Sequence, residues 1–290
     1  MRCAVPSAAL GLLAMTFHAA PAAAQAAPAN LANPMIQIEY VAPKKAAYQP
    51  IYKRVQDRQV LERLKVFLAP LKLPKPVQIK MAECGTPVVP YKAGEPVLVC
   101  YEYIEQIENL SNRALPNPSY VTLLGQVVLS KDHTIVGPVV HVVLNSVARS
   151  LFDILEIPVW GNIEDGADHV AAFIMLQFGK DVAQKTLYGT AWFLLSSASQ
   201  AVNFADIRPT LQQRYYNYLC MAVGSDPVTY GIFVPYRRTA TVADLPTSRA
   251  AGCAQEYQQV KSAFAELFLA NNVDLDLLRQ VQALEWLKDD

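Results

Sequence analysis

The chain has 290 residues, of which 52% are hydrophobic and 17% are charged, with 25 basic and 25 acidic side chains. This hydrophobicity excludes a disordered chain, which requires low hydrophobicity and high net charge. The balanced charge excludes a basic nucleic-acid-binding protein, because there is no excess of lysine and arginine to neutralise phosphates. The length is sufficient for one large domain or two small ones, with a sizeable core in either case.

The first residues have the pattern of a secretory signal peptide. Arg2 supplies a positive charge, residues 8–17 form a short apolar run, and residues 22–24 offer a small-residue cleavage site. The run is too short to span a bilayer, so a membrane anchor is the less favoured alternative. We expect export to the periplasm or the medium, with residues 1–24 removed and residues 25–50 forming a flexible tail. No later apolar run is long enough to predict a transmembrane segment in the mature chain.

Four cysteines remain after the predicted cleavage: Cys84, Cys100, Cys220 and Cys253. An even number in an exported protein favours disulfides, and the spacing suggests that Cys84 pairs with Cys100 and that Cys220 pairs with Cys253. Each bond would close a modest loop and stabilise the fold by roughly 3 kcal/mol. A zinc site made from all four thiols is the alternative, and the lack of a C-x-x-C motif argues against it.

A first amphipathic helix is predicted over residues 52–68, where apolar residues recur near helical spacing. Residues 77–81 and 96–101 then predict two strands, which flank a turn at residues 84–85 as a hairpin. Further helices are predicted at residues 101–110, 135–155, 163–179, 186–202, 209–223, 250–270 and 275–287. The whole pattern predicts a mainly helical α+β fold with a small N-terminal sheet, in a single domain over residues 51–290.

The helix predicted over residues 135–155 carries one polar stripe, with residues at intervals of four: His141, Asn145, Arg149 and Asp153. This spacing places them on one face of a helix that is otherwise apolar. Glu164 and Asp168 lie in the first turns of the next predicted helix, where the helix dipole favours acidic side chains. The two predicted helices are largely apolar, and each carries a few polar side chains at helical spacing that are candidates for a functional site.

Standard catalytic motifs are absent from the sequence. It has no G-x-S-x-G nucleophile elbow, no glycine-rich phosphate-binding loop and no H-E-x-x-H zinc motif. A zinc protease of that type needs two histidines four residues apart on one helix, with a glutamate between them. The histidines beyond the predicted signal peptide are His133, His141 and His169, and their spacing does not provide the pair.

Several short segments keep the order and spacing of the motifs of one protein family. They are L-N-S-V-A-R-S-L at residues 144–151, I-P-V-W-G-N-I-E-D-G-A-D at 157–168, E-C-G at 83–85, V-C-Y-E at 99–102, Q-R-Y-Y-N at 213–217 and G-S-D-P at 224–227. Together they resemble a family of exported bacterial metallopeptidases with a zincin-like fold. The resemblance covers most of the chain beyond the predicted signal peptide.

In that family, the first of two helices carries H-E-x-x-H, and an E-D-x-A-D element on the second offers a third acidic ligand to zinc. The resemblance implies a zincin-like helix pair in which Glu164 and Asp168 are remnants of the acidic element. Asn145, Ser146 and Arg149 stand where the family has its first histidine, its general-base glutamate and its second histidine. Protonated arginine cannot bind a metal, and serine cannot replace the glutamate as a base. We therefore expect an exported pseudoenzyme without a metal cofactor.

Three functional hypotheses follow. In the first, Arg149 replaces the metal through a salt bridge to Glu164 and Asp168, and the inherited cleft binds a peptide or protein partner. In the second, the protein is an active metal-dependent hydrolase with a non-standard site of His141, Glu164 and Asp168. In the third, it is a structural envelope protein with a filled cleft, whereas an open groove beside Asn145 would favour the first hypothesis.

Overall fold

The computed structural model describes residues 31–89, 91–115, 120–123, 127–198, 205–206, 208–235, 241, 243–269, 272–282 and 284. The predicted signal peptide lies outside these residues, as do the predicted helix ends at 199–202, 270, 283 and 285–287. Within the described residues, the prediction of a mainly helical α+β fold with a small N-terminal sheet is confirmed.

A three-stranded sheet is formed by β1 (Ile36–Tyr40), β2 (Val77–Ala82) and β3 (Val97–Cys100). The strands are parallel and lie in the order β1–β2–β3. The prediction of a flexible tail over residues 25–50 is therefore wrong for β1. Its sequence alternates apolar and polar residues, and Ile36 is fully buried against the core. Such alternation is the pattern of a half-buried strand.

The predicted hairpin of β2 and β3 is also wrong, because the two strands are parallel. A parallel pair needs a connection of a dozen or more residues, and residues 83–96 are long enough to return the chain. In this register Ala82 lies opposite Cys100, so the Cys84–Cys100 disulfide links the same ends of the two strands. The Glu102 carboxylate accepts a hydrogen bond of 3.1 Å from the Cys84 N–H and so supports the loop.

The helices are α1 (Gln49–Asp57), α2 (Val60–Leu68), α3 (Tyr101–Ala114), α4 (Lys131–Ile154), α5 (Ile163–Met175), α6 (Lys180–Ser196), α7 (Leu211–Ser225), α8 (Pro227–Tyr230), α9 (Thr247–Phe264) and α10 (Leu275–Gln282). A two-stranded antiparallel hairpin of β4 (Tyr120–Leu123) and β5 (Val127–Ser130) leads into α4. The single helix predicted over residues 52–68 is divided into α1 and α2. The polar run at residues 56–59 interrupts its apolar face, and Gln59 has a left-handed backbone with φ of 50°.

Helix α4 is the centre of the core. Ser130 begins it as an N-cap whose side chain accepts a hydrogen bond from the His133 N–H. Gly137 of α4 lies against Gly189 of α6, so the two backbones approach closely. Among the described residues, α4 is the helix with the length and hydropathy to cross a membrane, but 72% of its most apolar window is buried inside the protein. That burial is typical of a core helix.

The second disulfide, Cys220–Cys253, joins α7 to α9. Both cysteine pairings predicted from the spacing are therefore confirmed. Disulfides persist in oxidising compartments, so the two bonds favour a protein that folds outside a reducing cytosol.

Candidate functional site

The polar stripe of α4 faces the first turns of α5. His141, Asn145 and Arg149 are buried, with 2%, 3% and 8% of their surfaces exposed. Asn162 caps α5 by accepting a hydrogen bond of 2.9 Å from the Glu164 N–H. These three side chains of the stripe therefore lie inside the protein, whereas the fourth, Asp153, is at the surface.

Arg149 and Glu164 form the ion pair expected from the sequence. The Nη1 atom of Arg149 donates a hydrogen bond to Oε1 of Glu164 at 2.8 Å. The further contact expected between Arg149 and Asp168 is replaced by a different pairing. Asp168 lies one turn farther along α5, where it faces α7, and its ion pair is with Arg214.

Arg214 holds Asp168 with two parallel hydrogen bonds. Its Nε donates to Oδ2 at 2.6 Å and its Nη2 donates to Oδ1 at 2.7 Å. Asn145 donates a third hydrogen bond to Asp168, from Nδ2 to Oδ1 at 2.7 Å. The Asp168 carboxylate is only 1% exposed, and this bidentate geometry is the strongest that arginine makes with a carboxylate.

His141 completes the buried cluster. Its Nε2 lies 3.1 Å from Oδ1 of Asp168 and 3.1 Å from Nη2 of Arg214. Burial lowers the pKa of His141 by more than the hydrogen bond and charge of Asp168 raise it, and Arg214 adds a smaller lowering effect, so the imidazole is neutral at pH 7. Burial alone would raise the pKa of Asp168, but the charge and hydrogen bonds of Arg214 hold it well below its usual range.

Tyr218 of α7 packs edge-on against the His141 ring, with the ring centroids 5.2 Å apart. Burial raises the pKa of its phenol, and the nearby Asp168 carboxylate adds to the effect, so the hydroxyl stays protonated. Among the described residues, the Tyr218 hydroxyl, Nδ1 of His141 and Nε of Arg149 are buried polar atoms with no hydrogen-bond partner. The cluster is therefore closely packed but not fully satisfied.

A second polar network lies beside the first and ties α5, α7 and α9 together. Nε2 of His169 is 3.2 Å from Oε1 of Glu256, and Arg249 contacts the other carboxylate oxygen of Glu256 at 2.5 Å. Asn217 donates to Asp165 at 3.2 Å and accepts from Arg249 at 3.4 Å. Burial alone would raise the pKa of Glu256, but hydrogen bonds from His169 and Arg249 lower it to about 2. The network stabilises the position of α5, the helix that carries Glu164 and Asp168.

The residues do not fit a zinc ion. The Arg214 guanidinium donates to the Asp168 carboxylate and lies 3.1 Å from Nε2 of His141, so both potential ligands already face a cation. Within the described parts of the chain, His141, Glu164 and Asp168 do not bring their ligand atoms within 4.8 Å of one another. The group that does so is Cys84, Cys100 and Glu102, and its two thiols are consumed by a disulfide.

Arg214 is the site residue to which the sequence analysis gave no role. It lies in a motif segment quoted from residues 213–217, but no local pattern connects it to Asp168, which lies 46 residues earlier. The available signal was its position four residues before Tyr218 in a helix rich in apolar and aromatic residues. A guanidinium on the core side of such a helix needs a buried acid as its partner.

The comparisons with known proteins identify one family. No curated protein and no solved structure shows significant similarity to the chain. The model of a family described as "Putative metallopeptidase" matches residues 40–268, which include both helices of the polar cluster and both disulfides. The chain therefore belongs to this metallopeptidase family.

Proposed function

We propose that this protein is an exported pseudoenzyme in which two arginines have replaced the zinc ion of a metallopeptidase. The bidentate contact of Arg214 with Asp168 carries the proposal, because it places a permanent cation against the buried acid and the one histidine of the cluster. The two disulfides and the predicted signal peptide support export.

Charge balance supports the replacement. A zinc ion carries two positive charges, and Arg149 and Arg214 together carry the same charge opposite Glu164 and Asp168. With His141 neutral, the two carboxylates are already compensated. A divalent cation added to this cluster would leave two excess positive charges in a buried site, which is strongly unfavourable.

The general-base position of the family motif also lacks a group to activate water. Ser146 stands at the general-base position of the family motif, and its Oγ lies 3.4 Å from Nη2 of Arg149. A serine hydroxyl has no basicity near neutral pH, and the adjacent guanidinium lowers it further. The family mechanism of peptide hydrolysis needs a general base at this position, and Ser146 cannot provide it.

We expect the purified mature protein to contain no stoichiometric zinc by mass spectrometry, and zinc to leave its melting temperature unchanged. A site of submicromolar affinity would instead stabilise the fold by about 2.7 kcal/mol at a hundredfold excess of zinc over Kd. Stoichiometric zinc would overturn the proposal and favour an active hydrolase, and mutation of His141 and Glu164 would then identify its ligands.

A rebuilt variant is the matched control. We expect Asn145→His, Ser146→Glu and Arg149→His together to bind zinc with Glu164, because the family motif would then stand on the same helix pair. Zinc in the rebuilt protein and none in the natural protein would attribute the loss to these positions. A rebuilt variant that binds no zinc would contradict that attribution and leave Arg214, still paired with Asp168, as the group that excludes the metal.

We propose further that a peptide or protein partner binds at the turn between α4 and α5. Asn145 is 3% exposed, so the polar cluster is filled, and the open groove beside Asn145 that would favour a partner in the inherited cleft does not form there. The partner site proposed here is therefore a different surface, the exposed turn. In this turn Trp160 is 92% exposed, and at the start of α5 Ile163 is 45% exposed. Exposed tryptophan is enriched among the residues that dominate protein interfaces.

Labelled unfolded casein serves as a general peptide probe of this turn. Trp160→Ser should weaken its binding, measured by fluorescence anisotropy, by about tenfold, because interface tryptophans typically contribute 2 kcal/mol or more. The control is Val228→Ser, which removes an equally exposed apolar side chain on α8. Equal effects of the two changes, or no binding, would argue against a partner at this turn and for a structural protein.

A further inference from the structure

An apolar cavity of about 300 Å³ lies on the opposite side of α4 from the polar cluster. Val139 lines it, whereas His141 belongs to the cluster, and two residues along a helix are separated by about 200° around its axis. Helices α1, α2, α3 and α6 complete the wall. The cavity is independent of whether a metal binds on the other face.

The interior of the cavity is apolar. Ile135, Val136, Val139 and Val140 of α4 remain only half-buried, although the rest of this helix is mostly buried. Phe67 and Phe178 close one side of the cavity in edge-to-face contact, with ring centroids 5.5 Å apart. Apolar side chains left partly uncovered in this way mark a ligand-binding surface.

Thr186 adds a hydroxyl to the lining, but its Oγ1 already donates to the carbonyl oxygen of Val182 at 2.8 Å, so the hydroxyl leaves the interior apolar.

The volume of the cavity is large enough for an alkyl chain. An apolar cavity of about 150 Å³ admits benzene, so twice that volume admits a medium-length alkyl chain.

The charged residues of the lining are three arginines and one glutamate: Arg54, Arg58, Arg63 and Glu108. Arg54 is paired with Glu108. Arg58 is exposed, and within the described parts of the chain its guanidinium forms no ion pair or hydrogen bond. Arg58 therefore adds a positive charge to the lining, as a guanidinium group that matches carboxylate and phosphate oxygens.

We infer that this cavity binds a single-chain amphiphile with an anionic head group. The alkyl chain fills the apolar interior beside Val140, and the carboxylate or phosphate monoester meets Arg58 at the opening. An arginine recognises the oxygen atoms of both head groups. The affinities of a carboxylate and a phosphate monoester are therefore compared to identify which head group the natural ligand carries.

Calorimetric titration of the delipidated mature protein tests this inference, with each probe kept below its micelle concentration. Dodecanoate and dodecyl phosphate are the anionic probes, and dodecanol is the neutral probe of equal chain length. We expect one site for an anionic probe and binding of dodecanol that is weaker by about tenfold, the difference made by one charged hydrogen bond. The tighter of the two anionic probes indicates a fatty acid or an alkyl phosphate as the natural ligand.

Two variants locate the ligand. Arg58→Gln should weaken dodecanoate by about tenfold and leave dodecanol unchanged, because it removes only the charged contact. Lys53→Gln is its control, since Lys53 lies on α1, the helix that ends directly before Arg58, but pairs with Asp57 and does not line the cavity. Val140→Phe should abolish binding of both compounds by filling the interior, and a melting curve checks that the variant folds.

Four results would overturn the inference. Equal affinity for dodecanol and dodecanoate would exclude head-group recognition, and unchanged dodecanoate binding in Val140→Phe would place the compound elsewhere. Failure of every probe to bind would mean that other residues of the chain fill the cavity in solution. A dimer that excludes dodecanoate would assign the cavity to a second copy of the chain.

Discussion

Arg214→Met should lower the free energy of unfolding by about 3–5 kcal/mol, because it leaves the buried Asp168 carboxylate without its cation. Asp168 is 1% exposed, so water cannot replace the lost contacts. For a chain of this size the melting temperature should fall by about 10 °C, which differential scanning calorimetry measures directly. Arg149→Ala should have a smaller effect, because the side chain of its partner Glu164 is 16% exposed.

Two comparisons show whether the loss arises from the unpaired charge. Adding Asp168→Asn to Arg214→Met should recover part of the stability, since a neutral amide needs no cation. Arg208→Met should change the melting temperature little, because the ion pair of Arg208 with Asp206 is at the surface. An unchanged melting temperature in Arg214→Met would contradict the assigned role of the pair.

The pH dependence of the same variant has a definite sign. In the natural protein the folded pKa of Asp168 is lowered, so its contribution is present above the unfolded pKa of about 3.9 and is lost as the pH falls below it. Without Arg214, burial raises the folded pKa above the unfolded value, so protonation favours the folded state. The variant should therefore gain stability relative to the natural protein as the pH falls from 7 to 5.

Gly189→Ala is expected to have the next largest effect, a loss of about 3 kcal/mol in the free energy of unfolding. A Cβ at this position would overlap the backbone carbonyl oxygen of His133 and approach Cα of Gly137 to 3.3 Å. Because the obstructing atoms are backbone, no rotamer change relieves the overlap, and α4 and α6 must separate. The gain in helix propensity, about 1 kcal/mol, is too small to offset that separation.

Gly252→Ala is the matched control, because Gly252 is exposed in α9 and nothing lies within 4 Å of an added Cβ. There the substitution should stabilise the protein slightly through helix propensity. Urea denaturation of both variants separates the two effects. Equal changes at Gly189 and Gly252 would mean that α4 and α6 do not pack through the glycine contact.

Sequence reasoning recovered the features that depend on local periodicity and on residue chemistry. The polar stripe at His141, Asn145 and Arg149 follows from a spacing of four, which places residues on one face of any helix. The nearest-neighbour disulfides follow from cysteine number and spacing. The pair of Arg149 with Glu164 follows from the family resemblance, which places both residues at metal-ligand positions, together with the rule that a buried acid requires a cation.

Only the tertiary structure decided which further groups meet across the chain. A local period carries no information on which helix packs against which. The contact of Arg214 with Asp168 depends on the packing of α7 against α5, so the sequence did not predict it. The direction of β3 depends on where the loop at residues 83–96 returns the chain, and a turn signal at Gly85 does not settle that. The cavity beside Val140 exists because five helices leave a gap between them, a property of their packing that no single segment contains.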